Sequence, residues 1–251
     1  MYPRKCYSIL FLALVSCAAV TSVSMAEPSI SGRVDGMPFT VPPGLFIADR
    51  HSPVSILEMW ETNFPGGDQI TISAEFDPDP IVNYSIAVTD FGDPSNFSFS
   101  FGQSIILPGI PNLVDAQVGG ALNDATGDGV SITPMLSDSD GDLIAELQVS
   151  TVGFGTPSVN MGVDVGPAQS FPGTGSPGIT TYSTVVELPQ PGPNGAFDVM
   201  DTTVSFTLSG GGDFAALTGF AQIVPIPEPS TFVLAACGII GILAIRRWSR
   251  D

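Results

Sequence analysis

Hydrophobic and polar residues alternate with a period of two over much of the chain between Glu27 and Val224. In the stretch NYSIAVTD, Tyr84, Ile86 and Val88 point one way, and in NFSFSFG serines separate three phenylalanines in the same manner. Such alternation predicts β-strands with one buried face. Further segments of this kind lie at 54–61, 69–76, 113–122, 142–152, 181–188, 198–209 and 214–224.

The segments between these predicted strands are rich in proline, glycine and aspartate, as in DPDP, FGDPS and PQPGPNG. These residue types favour turns. An apolar pattern with a helical period of 3.6 residues does not run for three turns anywhere in this part of the sequence. Many short strands at roughly ten-residue spacing predict an all-β domain, an antiparallel β-sandwich or jelly roll, over residues 27–224. We expect residues 155–180 to form its longest loop.

The N-terminal 26 residues have the features of an export signal. Two basic residues precede an apolar stretch, and small residues lead up to Ala26. This pattern predicts a signal peptide over residues 1–26 that uses the Sec translocon and is cut by signal peptidase between Ala26 and Glu27. The sequence LVSC, which ends at Cys17, also fits a lipoprotein box. Lipidation at Cys17 therefore stays open as an alternative.

A second apolar segment lies close to the C-terminus. The run from Thr231 to Ile245 would extend roughly 22 Å as a helix, against a hydrocarbon core of ~30 Å. It predicts one short transmembrane helix over 232–245, which the basic tail at 246–251 follows directly. Because arginines favour the cytoplasmic side, we expect the tail to stay inside and the β domain to lie outside.

Immediately before this run the chain reads PIPEPST, at residues 225–231. Pro227-Glu228-Pro229, an apolar helix and a basic cluster of Arg246, Arg247 and Arg250 follow one another in this order. This arrangement resembles the PEP-CTERM sorting signal of Gram-negative bacteria. The resemblance implies that an exosortase, a membrane protease, recognises the tripeptide, while the arginine cluster retains the chain until it is cut. It also implies a cell-surface or extracellular destination and a link to exopolysaccharide in the matrix.

The charge distribution narrows the choice of partners for the β domain. The formal net charge of the chain is −18, but most basic residues lie at its two ends. From Glu27 to Asp213 there are 23 acidic residues and only two basic ones, Arg33 and Arg50, which gives this part a net charge of −21. Nucleic acid and anionic lipid would meet a like-charged surface, so we expect neither as its partner. Divalent cations and neutral polymers are favoured.

Aspartates form the sharpest candidate site in the sequence. The stretch LNDATGDGVSITPMLSDSDGDL carries five of them in two glycine-bearing turns: Asp124, Asp128, Asp138, Asp140 and Asp142. Carboxylates at alternate positions can converge on one hard cation, and calcium is the natural candidate. The spacing is not that of an EF-hand. The alternative is that these are solvated hairpin turns, in which aspartate serves for local hydrogen bonds to the backbone.

Few residues favour an enzyme. All three cysteines lie in the terminal segments, and His51 is the only histidine, without a nucleophile elbow to accompany it. We expect the alternating phenylalanines and Trp60 to belong to the core. The prediction is an exported, non-enzymatic protein with no cofactor apart from the calcium that the aspartates would hold. Two alternatives stay open: a calcium-dependent carbohydrate-binding or adhesion module, and a secreted polysaccharide hydrolase.

Overall fold

The computed structural model describes residues 27–48, 52–106, 111–137, 144–193, 195 and 197–226. Within these residues the chain is built from strands, with a single turn of 3-10 helix at Pro43–Leu45. None of the helical structure in this part of the chain is long and apolar enough to cross a membrane. The strands are β1 (Ser29–Val34), β2 (Met37–Thr40), β3 (Ile47–Ala48), β4 (Ser55–Asn63), β5 (Gln69–Asp77), β6 (Ile81–Asp90), β7 (Ser95–Ser104), β8 (Asn112–Asp124), β9 (Gly129–Pro134), β10 (Gln148–Phe154), β11 (Thr156–Val165), β12 (Gln169–Pro172), β13 (Gly178–Pro191), β14 (Val199–Leu208) and β15 (Asp213–Pro225).

These strands form two sheets. The first has the order β11-β10-β14-β7-β1-β2, with β9 attached to β14 and β12 to β9. The second has the order β13-β8-β15-β6-β5-β4-β3. The described strand pairings are antiparallel. The prediction of an all-β antiparallel sandwich is confirmed.

The core is formed where the alternating apolar residues of both sheets meet. On β7, Phe97, Phe99 and Phe101 are fully buried, while the serines between them are half-buried on the opposite face. The ring of Phe101 stacks on that of Tyr84 from the second sheet, with 5.0 Å between ring centroids. The Tyr84 hydroxyl donates a hydrogen bond to Gln148 of the first sheet, so the two layers share a polar contact as well. The phenylalanine stripe is thus core, as the alternation predicts.

The region predicted as the longest loop is largely β structure, and that prediction is wrong. Residues 155–180 contain β11, β12 and the first residues of β13. Pro157 and Gly162 interrupt the alternation there, and the pairing of β10 with β11 has two register shifts. A bulged strand with such residues does not produce the regular period-two pattern from which strands are inferred.

The first and last residues of strand β15 define the two ends of the second sheet. The strand lies inside that sheet, between β8 and β6, and its 13 residues extend about 40 Å at ~3.3 Å per residue. We call its two limits the Asp213 end and the Pro225 end. Asp90 and Asp124, the last residues of β6 and β8, lie at the Asp213 end, and the first residues of both strands lie at the Pro225 end.

Candidate functional site

Four aspartates form a row across the Asp213 end of the second sheet. Asp90 and Asp213 are direct cross-strand partners, Asp124 ends β8 on one side, and Asp68 precedes β5 on the other. All four are buried, with exposures between 0% and 8%. Arg33 is the only basic side chain among the described residues, and it is exposed on β1 in the other sheet. Since burying carboxylates costs free energy unless they find partners, the contacts of this row decide what it can do.

Asp124 organises the turn that joins β8 to β9. Its Oδ1 accepts hydrogen bonds from the backbone N–H groups of Thr126 and Gly127, at 3.2 and 2.6 Å, and its Oδ2 accepts one from Gly129, at 2.9 Å. The turn closes because Gly127 adopts a φ of +86°. A Cβ at Gly127 would also lie 2.4 Å from the backbone nitrogen of Ser176, so glycine permits both the turn and this close approach.

Asp213 approaches the same turn from a distant part of the sequence. One of its oxygens accepts the backbone N–H of Ala125 at 3.4 Å, and the other accepts the hydroxyl of Ser209. Burial raises the pKa of the Asp213 carboxyl; these two hydrogen bonds lower it, and the nearby carboxylates of Asp124 and Asp128 raise it further. The side chain is therefore held among other acids, and no basic side chain of the described residues pairs with it.

Carboxylate oxygens of Asp124, Asp128 and Asp213 all lie within 4.8 Å of one another. This arrangement offers three hard oxygen ligands, whereas calcium takes six to eight, so carbonyl oxygens or water would have to supply the remainder. The structure brings together two of the five aspartates in the predicted metal cluster, Asp124 and Asp128. The other three, Asp138, Asp140 and Asp142, lie outside the described residues.

The other half of the row is centred on Ser95. Its hydroxyl oxygen lies 3.2 Å from Asp68 Oδ2 and 3.1 Å from Asp90 Oδ1, and its backbone N–H donates to Asp90 Oδ2 at 2.8 Å. The hydroxyl has a single proton, so it can donate to only one carboxylate at a time. Burial is the largest cause that raises the pKa of the Asp90 carboxyl, and the charge of Asp68 adds to it.

A groove of about 260 Å³ opens beside Asp124 at this end of the sandwich. The ring of Phe171 and the 78% exposed side chain of Ile179 provide apolar surface, and Thr174 and Thr180 provide hydroxyl groups. Ring and alkyl surface suits the C–H face of a sugar, while hydroxyl and carboxylate groups suit its hydroxyls. The groove therefore has the mixed chemistry of a small carbohydrate subsite.

The C-terminal part of the sequence decides the family. Residues 225–247 match the family model of the PEP-CTERM protein-sorting motif. The chain carries a PEP-CTERM protein-sorting motif. The motif implies processing by exosortase, a membrane protease, and with it export and transient membrane anchoring through the C-terminal region.

The matched range overlaps the residues that the sequence predicts for sorting. The matched range includes Pro227, Glu228 and Pro229 together with Arg246 and Arg247, and it ends before Arg250. These residues lie outside the described part of the structure, as do Ala26 and the predicted transmembrane helix. Pro225, the first residue of the match, is the last residue of β15.

Other comparisons add little about this PEP-CTERM protein. No curated protein matches it in sequence. Among solved structures, the enzymatically active domain of tailspike protein 4 from bacteriophage CBA120 matches with 13% sequence identity and a TM-score of 0.25. That match covers 66% of this chain and 19% of the tailspike chain, so the protein spans under a fifth of the structure it resembles. A likeness of this extent supports no conclusion about activity.

Sequence reasoning missed several residues of the candidate site, among them Asp213 and Phe171. Asp213 lies 85 residues beyond Asp128, and Phe171 lies in the region predicted as loop. A usable signal existed for Asp213, because three glycines precede it at the start of an alternating segment. Such a glycine turn places the next side chain at the end of a strand. For Phe171 the sequence carries no comparable signal.

Proposed function

We propose that the exported chain is a non-enzymatic protein of the cell surface or extracellular matrix whose β-sandwich binds neutral polysaccharide in the groove beside Asp124. The observation that carries this proposal is the composition of the groove: the Phe171 ring and Ile179 alkyl surface beside threonine hydroxyls and a carboxylate. Sorting by exosortase delivers the domain to the location where such polymers occur.

Charge favours a neutral polymer over an acidic one. The part of the chain between Glu27 and Asp213 carries a net charge of −21, and Asp124 lies in the groove wall. An anionic polysaccharide would be repelled over the whole surface. The outer face of the first sheet also carries hydroxyls, on Ser98 and Ser100 for example, but they lie on a flat strand surface. The groove is concave and can remove more of a sugar from water.

Binding can be measured by titrating the secreted form with neutral exopolysaccharide purified from the producing cells. The test variant is Ile179→Ala with Thr174→Ala, since both side chains are exposed in the groove wall. Loss of the alkyl contact and of one hydrogen bond should remove about 2–3 kcal/mol, which weakens binding roughly 30- to 140-fold.

The matched control is Ile106→Ala with Ser98→Ala. Ile106 is also exposed, at 58%, but lies at the Pro225 end, and Ser98 lies on the flat face of the first sheet. This control should bind as the unchanged chain does. Equal affinity of both double variants would refute polysaccharide binding in the groove. Hydrolysis of the polymer during the titration would refute the non-enzymatic assignment.

A calcium-dependent form of the same function is the second candidate. It is favoured by the three carboxylates of Asp124, Asp128 and Asp213, which border the groove at Asp124. If calcium binds there, calcium at about 100 times its Kd should add about 2.7 kcal/mol to the free energy of unfolding. For a domain of this size that corresponds to a rise of about 5–10 °C in Tm. Asp128→Asn should abolish the rise, whereas the exposed Asp79→Asn should not. An unchanged Tm with calcium would reject this form.

A further inference from the structure

The sorting motif begins where the hydrogen-bonded sheet ends. Pro225 is the cross-strand partner of Asn112, and the backbone N–H of Ile226 donates to the carbonyl of Pro111 at 2.9 Å. The folded sheet therefore extends through Ile226, and Pro227 of the sorting tripeptide is the next residue. The sequence leaves no linker between the domain and the motif.

This short connection limits how far the domain can stand from the membrane. Five residues, 227–231, separate Ile226 from the predicted anchor at 232–245. Fully extended they reach at most about 18 Å, at ~3.3–3.6 Å per residue. The headgroup region occupies roughly 5–8 Å of that distance on each side of the hydrocarbon core. The Pro225 end must therefore lie close to the headgroups, while β15 is about 40 Å long.

The chain also enters the fold at this end. Ser29, the first residue of β1, pairs with Gly102 near the end of β7, and Glu27 borders a groove there with Val199. Val199 in turn pairs with Ser104, the last residue of β7. Two residues later, the backbone N–H of Ile106 donates a hydrogen bond to the carbonyl of Pro78, in the turn between β5 and β6. Both segments that address the chain to the membrane are thus attached to the same end of the sandwich.

We propose that, while the sorting motif anchors the chain, the Pro225 end lies against the lipid headgroups and the acidic row with its groove faces away from the bilayer. The occupant of this surface is the lipid surface itself. Apolar side chains are exposed at both ends of the sandwich: Phe154, Ile106 and Val224 at the Pro225 end, and Phe91 and Ile179 at the other. They do not favour either end for contact with lipid, so the orientation follows from the tether.

Charge opposes the alternative in which the sandwich lies flat. Its outer sheet faces expose or half-expose acids along their length, such as Glu58, Glu75 and Asp115. Placing such a face on a lipid surface would desolvate the carboxylates along its whole length, whereas the upright orientation presents only the Pro225 end, with Glu27, Asp77, Asp79 and Asp198. This orientation rests on membrane anchoring by the motif and is independent of polysaccharide binding.

Energy transfer to the membrane can test the orientation. The full chain, with its motif intact, is purified from producing cells that lack exosortase and reconstituted in phosphatidylcholine vesicles that contain acceptor-labelled lipid and no other protein. A single donor label is placed at Asp79→Cys or at Ala125→Cys, with Cys6, Cys17 and Cys237 replaced by serine. Asp79 is exposed at the Pro225 end and Ala125 at the Asp213 end.

We expect transfer from position 79 to exceed that from position 125 at least about threefold, because the labels lie about 40 Å apart along the strands. Equal transfer would show a flat orientation, and a reversed order would show an inverted one; either result overturns the proposal. The two labels could also differ in energy transfer in native membranes that contain exosortase but not in the vesicles. That result would show that the Pro225 end contacts the protease and not lipid, and it would overturn the proposal.

A spacer variant separates the tether from any affinity of the surface for lipid. Insertion of about 20 Gly/Ser residues between Ile226 and Pro227 adds a flexible reach of about 25 Å. The difference in transfer between the two labels should then shrink markedly. If it persists unchanged, the tether does not set the orientation and the proposal is wrong.

Discussion

Asp124 is expected to be the residue on which the stability of the β8–β9 turn depends, and its substitution by alanine tests the described hydrogen bonds directly. The carboxylate accepts three backbone N–H groups, from Thr126, Gly127 and Gly129. Alanine removes all three acceptors at once. Gly127 is buried, so its N–H would lose its partner without full access to water.

The magnitude follows from this geometry. An unsatisfied buried donor costs about 1–3 kcal/mol, and a hydrogen bond in a partly exposed place contributes about 0.5–1.5 kcal/mol. One buried and two partly buried bonds to Asp124 therefore sum to about 2–6 kcal/mol. This loss of stability is partly offset, because the variant also removes one of the carboxylates that repel Asp213. We expect a net loss of about 2–4 kcal/mol in the free energy of unfolding.

The neighbouring Asp128→Ala is the matched control. Asp128 is exposed, and its recorded hydrogen bond comes from the hydroxyl of Thr126, two residues away. Its charge raises the pKa of Asp213, so removing it relieves a repulsion. We expect a change within about 0.5 kcal/mol of zero. Urea unfolding of residues 27–226 without calcium, at one pH, measures both variants. Equal destabilisation by the two, or a loss below about 1 kcal/mol for Asp124→Ala, would refute the reasoning.

Two further predictions concern the same end of the sandwich. Because burial raises the pKa of Asp90, the folded chain binds a proton more readily than the unfolded chain, so its contribution to stability should increase as the pH falls towards about 4, the usual pKa of an aspartate. Asp90→Asn should flatten this dependence in urea titrations; an unchanged slope would assign it to other groups. Gly127→Ala should lower Tm more than Gly175→Ala. Both glycines have positive φ, but only the Cβ at Gly127 would strike the backbone of Ser176; equal losses would exclude the clash.

Most of the strands that sequence reasoning located have one regularly buried face. The nine predicted segments correspond to β4 to β8, β10, β13, β14 and β15, and on β5 to β8 burial of one side imposes the alternation from which strands are inferred. Among the strands that were not predicted, β9 also alternates, but it has only six residues, which include Gly129 and Pro134. Two others lack the pattern. β2 contains Pro38 and has no fully buried residue, and β11 is bulged. An edge strand that packs little has no need of the alternating pattern.

The site could be predicted only in part, because some of its residues are neighbours in sequence and others come from distant strands. Asp124 and Asp128 share one turn, so their proximity follows from local sequence. Asp213 joins them because β15 pairs with β8 in one particular register, and Phe171 joins the groove because β12 pairs with β9. Register between distant strands depends on the packing of the whole sandwich. A single sequence does not reveal it.

The position of β15 has a consequence for the order in which the protein can fold. β15 is the last strand of the described residues, yet it lies inside its sheet and pairs with β8 on one side and β6 on the other. Until residues 213–225 emerge, both neighbours have an unpaired edge and the second sheet is divided into two parts. The anchor follows β15 almost immediately, so the sheet can close only when export of the domain is essentially complete. The second sheet thus stays incomplete for most of export, and a chain ending at Ser209 should stay protease-sensitive after export.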